Sequence, residues 1–269
     1  MSTRRLVFGD DGSTAADVVW LWVNSHPWPG WTVSVVTAQQ PTEFAVLPPD
    51  RTELHPWRPK HPRELVRDGA ETVVEHLTAE ADPRVVLDSC GAADLMVVGP
   101  RGHGALKQLH IGSTTEWLLA RPSPPLAIIR AGRPTHRVAV CVDGSRHASL
   151  AATTVANLPW IGGCEVTLIA VDDGSGDPDA ALAHAVGTFR SVEVEPHTLR
   201  PDSPHRGHAA GRDVRSVILG EIAALDVDLV ALGTRGHGAV RRTFIGSTAS
   251  AVALHAPCSV LVAYDPSEE

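Results

Sequence analysis

Short apolar runs rich in Val, Ile and Leu alternate along the chain with segments whose apolar residues fall at helical spacing. In the first half the runs Arg5–Phe8, Trp31–Ala38, Glu71–Thr78, Leu95–Val98 and Leu126–Arg130 predict strands. In the second half Arg137–Val142, Glu165–Val171, Ser191–Leu199, Leu229–Leu232 and Ser259–Tyr264 do the same. Helical patterns lie between them, beginning near Thr14 and Arg146 after the capping residues Ser13 and Ser145. Others cover Arg63–Asp68, Pro83–Gly91, Thr114–Ala120, Asp179–Phe189, Asp213–Leu225 and Thr248–His255. Strand–helix alternation of this kind predicts parallel sheets covered on both faces, whose ligands bind beyond the carboxyl ends of the strands.

The pattern is written twice. Val97–Thr115 and Ala231–Ala249 share an apolar run ending in Gly, two residues, Gly, nine residues and then Gly-Ser. The glycines are Gly99, Gly102 and Gly112 in one copy, and Gly233, Gly236 and Gly246 in the other. A buried strand, a Gly-rich loop and a helix start suit a phosphate cradle, because backbone N–H groups can approach an anion there. Ser113 and Ser247 are the predicted N-caps. Both halves also open on a strand followed by Asp-Gly-Ser, at Asp11 and Asp143, and close their first helix with Pro27-Trp28 or Pro159-Trp160. The paired Pro-Trp reads as a packing feature.

The halves part between Gln40 and Arg63, where six prolines forbid a long helix. We expect a mobile lid or partner surface there. With 269 residues the chain suits two domains, 1–132 and 135–269. A net charge of −8 argues against a nucleic-acid partner, and no apolar run is long enough for a membrane span. Without a signal-peptide pattern after Met1, the expected location is cytoplasmic. Cys90, Cys141, Cys164 and Cys258 form no CxxC pair and read as buried thiols. His205 and His208 share a polar loop, but no metal site is assigned to them.

The loops fail three nucleotide signatures. Neither has GK[ST], the first strand–helix turns read GDDGS and VDGS rather than GxGxxG, and SGGxDS is absent. His110-Ile111-Gly112-Ser113 is not a HIGH motif, which follows a first strand. Gly-x-x-Gly, nine residues and Gly-Ser, with Asp-Gly-Ser after the first strand, instead resembles the universal stress protein family, as a tandem two-domain member. The resemblance covers almost the whole chain. It implies two flavodoxin-like or Rossmann-like (HUP-type) α/β domains, each a five-stranded parallel sheet in the order 3-2-1-4-5 with helices on both faces. It also implies dimer-like contact through last strands, met here inside one chain or in a homodimer.

The same resemblance implies ATP as the ligand. In the first half Gly9, Asp10, Asp11, Ala38 and Val98 would hold the adenosine end, and Gly99, Gly102, Gly112, Ser113 and Thr114 the ribose and phosphates. In the second half Cys141, Val142, Asp143, Val171 and Leu232 correspond to the former. Gly233, Gly236, Gly246, Ser247 and Thr248 correspond to the latter. This sequence departs from a symmetrical pattern in that Pro100 stands opposite Thr234, removing an N–H donor, and Ala249 opposite Thr115. The second site is expected to be the better formed. Lys107 and Gln108, or Arg241 and Arg242, add loop-tip polarity near the phosphates.

Three functions follow from these residues. The expected one is an ATP-binding regulator in a stress or dormancy response, acting on an unknown protein partner without substantial catalysis. A slow ATPase or ATP-dependent transferase would need a base, and only His103 and His237 are placed for it. Asp10 or Asp11 would hold a magnesium ion through the phosphates. The third is an interaction scaffold whose nucleotide sites are degenerate.

Overall fold

The structure, a computed structural model, describes residues 3–39, 53–66, 72–102, 111–121, 124–201, 213–234 and 245–265. The chain divides into two compact units, Met1–Pro134 and Thr135–Glu269.

The first unit runs β1 (Arg4–Gly9), α1 (Thr14–Ser25), β2 (Trp31–Gln39), β3 (His55–Pro56), β4 (Val73–Glu80), α2 (Pro83–Asp88), β5 (Leu95–Val98), α3 (Ser113–Leu119) and β6 (Leu126–Ile128). Five strands lie parallel in the order β4-β2-β1-β5-β6. Leu6, Val7 and Phe8 in β1 and all four residues of β5 are buried, as expected of central strands covered on two faces. A sixth strand corrects the five-stranded expectation. In β3, His55 pairs with Thr78 and Pro56 with Leu77, antiparallel to β4. Pro56 has no N–H to donate, so proline-rich chain can add only this short piece, at the edge.

The helix expected from Arg63 does not form over residues 63–66, and Asp68 lies outside the described residues. The Arg63 amide donates instead to Nε2 of His76 on β4 at 2.9 Å, and the Val66 amide to Oδ1 of Asn24 on α1 at 3.0 Å. Backbone donors tied to neighbouring side chains leave no ladder for a helix turn. Residues 53–66 are therefore tied to both β4 and α1, whereas residues 40–52 of the expected lid or partner surface lie outside the described residues. The end of α1 is fixed by aromatic packing. Trp28 is buried against Trp22 and Trp31, and its indole N–H donates to the Val23 carbonyl at 2.9 Å.

The second unit runs β7 (Arg137–Cys141), α4 (Arg146–Ala156), β8 (Glu165–Val171), α5 (Pro178–Val186), β9 (Val194–Leu199), α6 (Val214–Ala224), β10 (Leu229–Gly233), α7 (Ser247–His255) and β11 (Ser259–Ala263). Its five strands are all parallel in the order β9-β8-β7-β10-β11. Here a helix, α5, lies in the crossover between β8 and β9; in the first unit the described part of the matching crossover, residues 53–66, holds β3 and Arg63. Asp177 caps α5 by accepting the Ala180 amide, and Ala181, Leu182 and Ala185 are buried. In both units strand order reverses between the first strand and the fourth of the parallel set, β1 and β5 or β7 and β10. That reversal opens a crevice at the strands' carboxyl ends.

Candidate functional site

The turn after each first strand is built the same way. Asp11 accepts the Ser13 amide at 3.0 Å, and Ser13 caps α1 by accepting the Ala16 amide at 3.2 Å. Asp143 accepts the Ser145 amide at 2.9 Å, and Ser145 caps α4 through Ala148 at 3.2 Å. Between each Asp and Ser sits a glycine with positive φ, Gly12 at 71° and Gly144 at 81°. The carboxylates are thereby fixed at the strand ends before any ligand arrives.

In the second unit these elements enclose a cavity of about 360 Å3. It is lined by Cys141, Val142 and Asp143 from the end of β7, Val171 from β8, Leu232 and Gly233 from β10, and Gly246, Ser247 and Thr248 at the start of α7. Of the second-half residues singled out in the sequence, only Gly236 is missing from this set, and it lies outside the described residues. Its lining is apolar at Cys141, Ile169 and Leu232, and it carries Asp143 and Asp173 after β7 and β8 and the start of α7 after the β10 loop. The first intrahelical bond of α7 runs from Ser250 N to the Gly246 carbonyl at 2.9 Å. Helix geometry gives the amides of Ser247, Thr248 and Ala249 no intrahelical acceptor, so they face an anion's natural position.

Two details of the loop differ from the sequence reading. The caps are Gly112 and Gly246, one residue before the expected Ser113 and Ser247, which are instead the first residues of α3 and α7. Each cap glycine donates its amide back across the loop, Gly112 to Pro100 O at 2.7 Å and Gly246 to Thr234 O at 2.6 Å. This leaves the serine hydroxyls out of the capping. The Thr234 amide, absent at Pro100, donates to Ala263 O at 2.8 Å and extends the β10–β11 ladder. Pro100 therefore removes a sheet bond, not a ligand donor.

Electrostatics sharpen the second cavity. Asp173 accepts both the amide and the hydroxyl of Ser175, at 2.9 and 2.6 Å, and these bonds hold its carboxyl below the usual carboxylate range. Burial pushes the Cys141 thiol up to about 12, so it lines the floor as a neutral, apolar group. Asp173, Ser175 and the α6 residues Val214 and Ile218 were not legible as site residues. The VDDG run after β8 was the available signal for Asp173. Nothing in the sequence says which face of α6 turns inward.

In the first unit Gly9, Asp10, Asp11, Ala38, Val98 and Gly99 again stand at the carboxyl ends of β1, β2 and β5. Gly102 lies so near the Asp11 carboxylate that a side chain on it would strike Oδ2. Asp11, the Gly99–Gly102 loop and α3 with Ser113 and Thr114 thus come together as expected. Thr115 ties α3 to this loop by donating to the Gly99 carbonyl at 2.9 Å, a bond Ala249 cannot make. Asp10, however, is taken by Arg63, whose guanidinium reaches its two oxygens at 2.8 and 3.1 Å and Asp17 at 2.7 Å. Gly9 also faces Leu87 of α2, where a Cβ would sit 3.1 Å from a Leu87 methyl.

His103, His237, Lys107, Gln108, Arg241, Arg242, His205 and His208 lie outside the described residues. Among the described residues no group of three or more His, Cys, Asp or Glu gathers to hold a metal. Among them, too, no helix is long and apolar enough to cross a membrane.

A doubly wound sheet with an acid and a Gly-rich loop at its switch point is an α/β architecture with a ligand-sized crevice at the strands' carboxyl ends. Residues 134–263, the second unit, match the universal stress protein family. A Staphylococcus haemolyticus protein carrying the universal stress protein name is 27% identical over 135 residues, 46% of this chain and 82% of that protein. A universal stress protein from Archaeoglobus fulgidus has the same fold over 98% of this chain and 99% of its own, at a TM-score of 0.66 and 18% identity. A Pseudomonas aeruginosa structure with the same family name covers 99% of this chain and 95% of its own, at a TM-score of 0.56 and 15% identity. The second unit is thus a universal stress protein domain.

Proposed function

We propose that the second unit binds ATP and that the chain works as a nucleotide-dependent regulator in a stress response, with little turnover. One observation carries this reading: a single cavity joins the fixed Asp143 carboxylate to the amide-presenting start of α7 across an apolar floor. An adenosine fits beside Asp143 and Asp173, because ribose hydroxyls and the adenine amino group donate hydrogen bonds that ionised carboxylates accept. A phosphate tail fits the start of α7. There a helix N-terminus favours negative charge by about 0.3–1 kcal/mol, and amide bonds to a charged oxygen add to that. Reversing the ligand would set phosphates against two carboxylates.

The described lining contains no histidine and no lysine or arginine. His237, Arg241 and Arg242 of that loop lie outside the described residues, so phosphate release is the measurement that separates binding from hydrolysis. A magnesium ion would ride on the phosphates themselves, since the described residues offer no cage of their own. The first unit is the weaker candidate, because Arg63 already engages Asp10 and Leu87 crowds Gly9.

Equilibrium binding of labelled ATP to the whole chain tests the reading, with phosphate release followed in the same samples. We expect saturable binding, lost in Asp143→Ala and in Gly246→Val, and no steady phosphate release. Absence of binding by the unaltered chain overturns the proposal, and sustained release replaces the regulator with an ATPase.

A further inference from the structure

One buried polar side chain beside the cavity has no part in the ligand contacts proposed above. His147, in the first turn of α4, is 1% exposed. Its Nδ1 lies 3.0 Å from the Thr234 hydroxyl and 3.0 Å from the Asp265 amide nitrogen. An amide N–H can only donate, so Nδ1 is the acceptor and the ring proton sits on Nε2. The Thr234 hydroxyl shares that acceptor. Tyr264 packs on the ring, centroids 5.2 Å apart and planes at 65°.

These contacts join two places that matter differently. Thr234 leaves β10 beside the cavity, and its carbonyl receives the amide of Gly246, the cap of α7. Tyr264 and Asp265 are the chain leaving β11. The Asp265 carboxylate adds an ion pair to Arg146 at 3.0 Å, although Arg146 is largely exposed and the pair contributes little. Gly233 also lies against the backbone of His147, where a Cβ would come within 2.6 Å of the carbonyl carbon. The first unit has Ala15, Pro100 and Ala131 at the corresponding places, and it ties its loop through Thr115 and Gly99 instead. Each unit therefore fixes its Gly-rich loop with a different side chain, and the second enlists the end of the chain to do it.

We infer that His147 is a positioning residue for the second cavity: it holds Thr234, and through Thr234 the Gly246 cap of α7, to the chain leaving β11. This rests on the nucleotide reading for its effect on affinity, but not for its effect on the loop. Ligand affinity at the second unit is set partly by how the segment after β11 is held. A partner or modification that pulls Asp265 away weakens nucleotide binding without touching the cavity.

The test compares His147→Asn and His147→Phe in the full chain. An asparagine Oδ1 stands near the place of Nδ1 and has two lone pairs for the two donors, whereas phenylalanine keeps the ring and removes the acceptor. Exchange of the Gly246 amide with solvent deuterium reports the loop without any nucleotide. We expect exchange at least tenfold faster in His147→Phe and near the unaltered rate in His147→Asn. ATP affinity should fall about tenfold in the first and stay within about threefold in the second. Asp265→Pro, which removes the donated N–H and a weak ion pair and sets Cδ against the His147 ring, serves if His147→Phe does not fold. It should weaken ATP binding about fivefold, while Asp265→Asn changes nothing. Unchanged Gly246 exchange in His147→Phe, or equal loss in the Phe and Asn variants, overturns the inference. If the unaltered chain fails to bind ATP while Gly246 exchange responds as stated, the nucleotide reading fails and the positioning role stands.

Discussion

Arg63 closes a two-point fork on Asp10, with its Nε and Nη2 at 2.8 and 3.1 Å from the two carboxylate oxygens. Both side chains are mostly covered, 19% and 13% exposed, and the guanidinium lies 6.0 Å from the Phe8 ring centroid. In the second unit the matching crossover, between β8 and β9, carries the helix α5. Removing one partner of such a pair leaves the other desolvated, so Arg63→Ala should cost about 2 kcal/mol in urea unfolding. The double variant with Asp10→Ala should cost less than the sum of the two, because no stranded charge remains. Strict additivity would show that the fork contributes nothing.

Gly233 is tightly enclosed at the switch point of the second unit. A Cβ there would meet Ala148 N and His147 C at 2.6 Å, both backbone atoms that cannot rotate away. Gly233→Ala should destabilise the chain by about 3 kcal/mol through overpacking. Gly162→Ala, with nothing within 4 Å of the added carbon, should fall within about 0.5 kcal/mol of the unaltered chain. Denaturation midpoints measured side by side decide this, and equal midpoints would refute the steric account.

His197 links β9 to α6. Burial pulls its ring down, but the hydrogen bonds its Nε2 and Nδ1 donate to the Glu195 and Glu221 carboxylates, at 3.2 and 3.0 Å, outweigh it and raise the ring above the ordinary histidine value. A raised histidine stabilises fully below the unfolded value, near pH 6.5, and loses that contribution as pH rises through the folded value. His197→Gln should therefore destabilise more at pH 5.5 than at pH 8.5. A larger deficit at the alkaline end would reverse the sign of the argument.

Among the described residues all four cysteines are free thiols, and Cys141 and Cys164 are held up to about 12 and about 11 by burial. At pH 8 little thiolate is present at either, so alkylation of the native chain should run at least 100-fold slower than in urea. Fast native labelling of Cys141, read by mass spectrometry, would mean the cavity floor opens to solvent.

The parallel order and the meeting of Asp143 with Gly233 and Gly246 were legible because period and spacing recur in both halves, and a duplicated spacing is hard to produce by chance. The serine caps were misplaced by one residue because Gly246 bonds backward to Thr234, an interaction across eleven intervening residues that no local rule encodes. Arg63 was hidden for a similar reason. Its partners Asp10, Asp17 and His76 come from three separate stretches of the chain, which no local pattern around Arg63 encodes. Asp173 and the inward face of α6 depend on how a helix rotates over the sheet, which an evenly apolar helix does not announce.

The two-residue strand β3 has a bearing on colloidal behaviour. A naked sheet margin invites strands from other molecules to add on, the route to fibrils. Pro56, laid along β4, presents a margin that cannot donate at that position, and β9 places Pro196 and the exposed Glu195 in its own outer row. The β3 and β9 edges are thus poor templates for recruitment. Strand addition at these two edges should be slower than at an unblunted parallel edge.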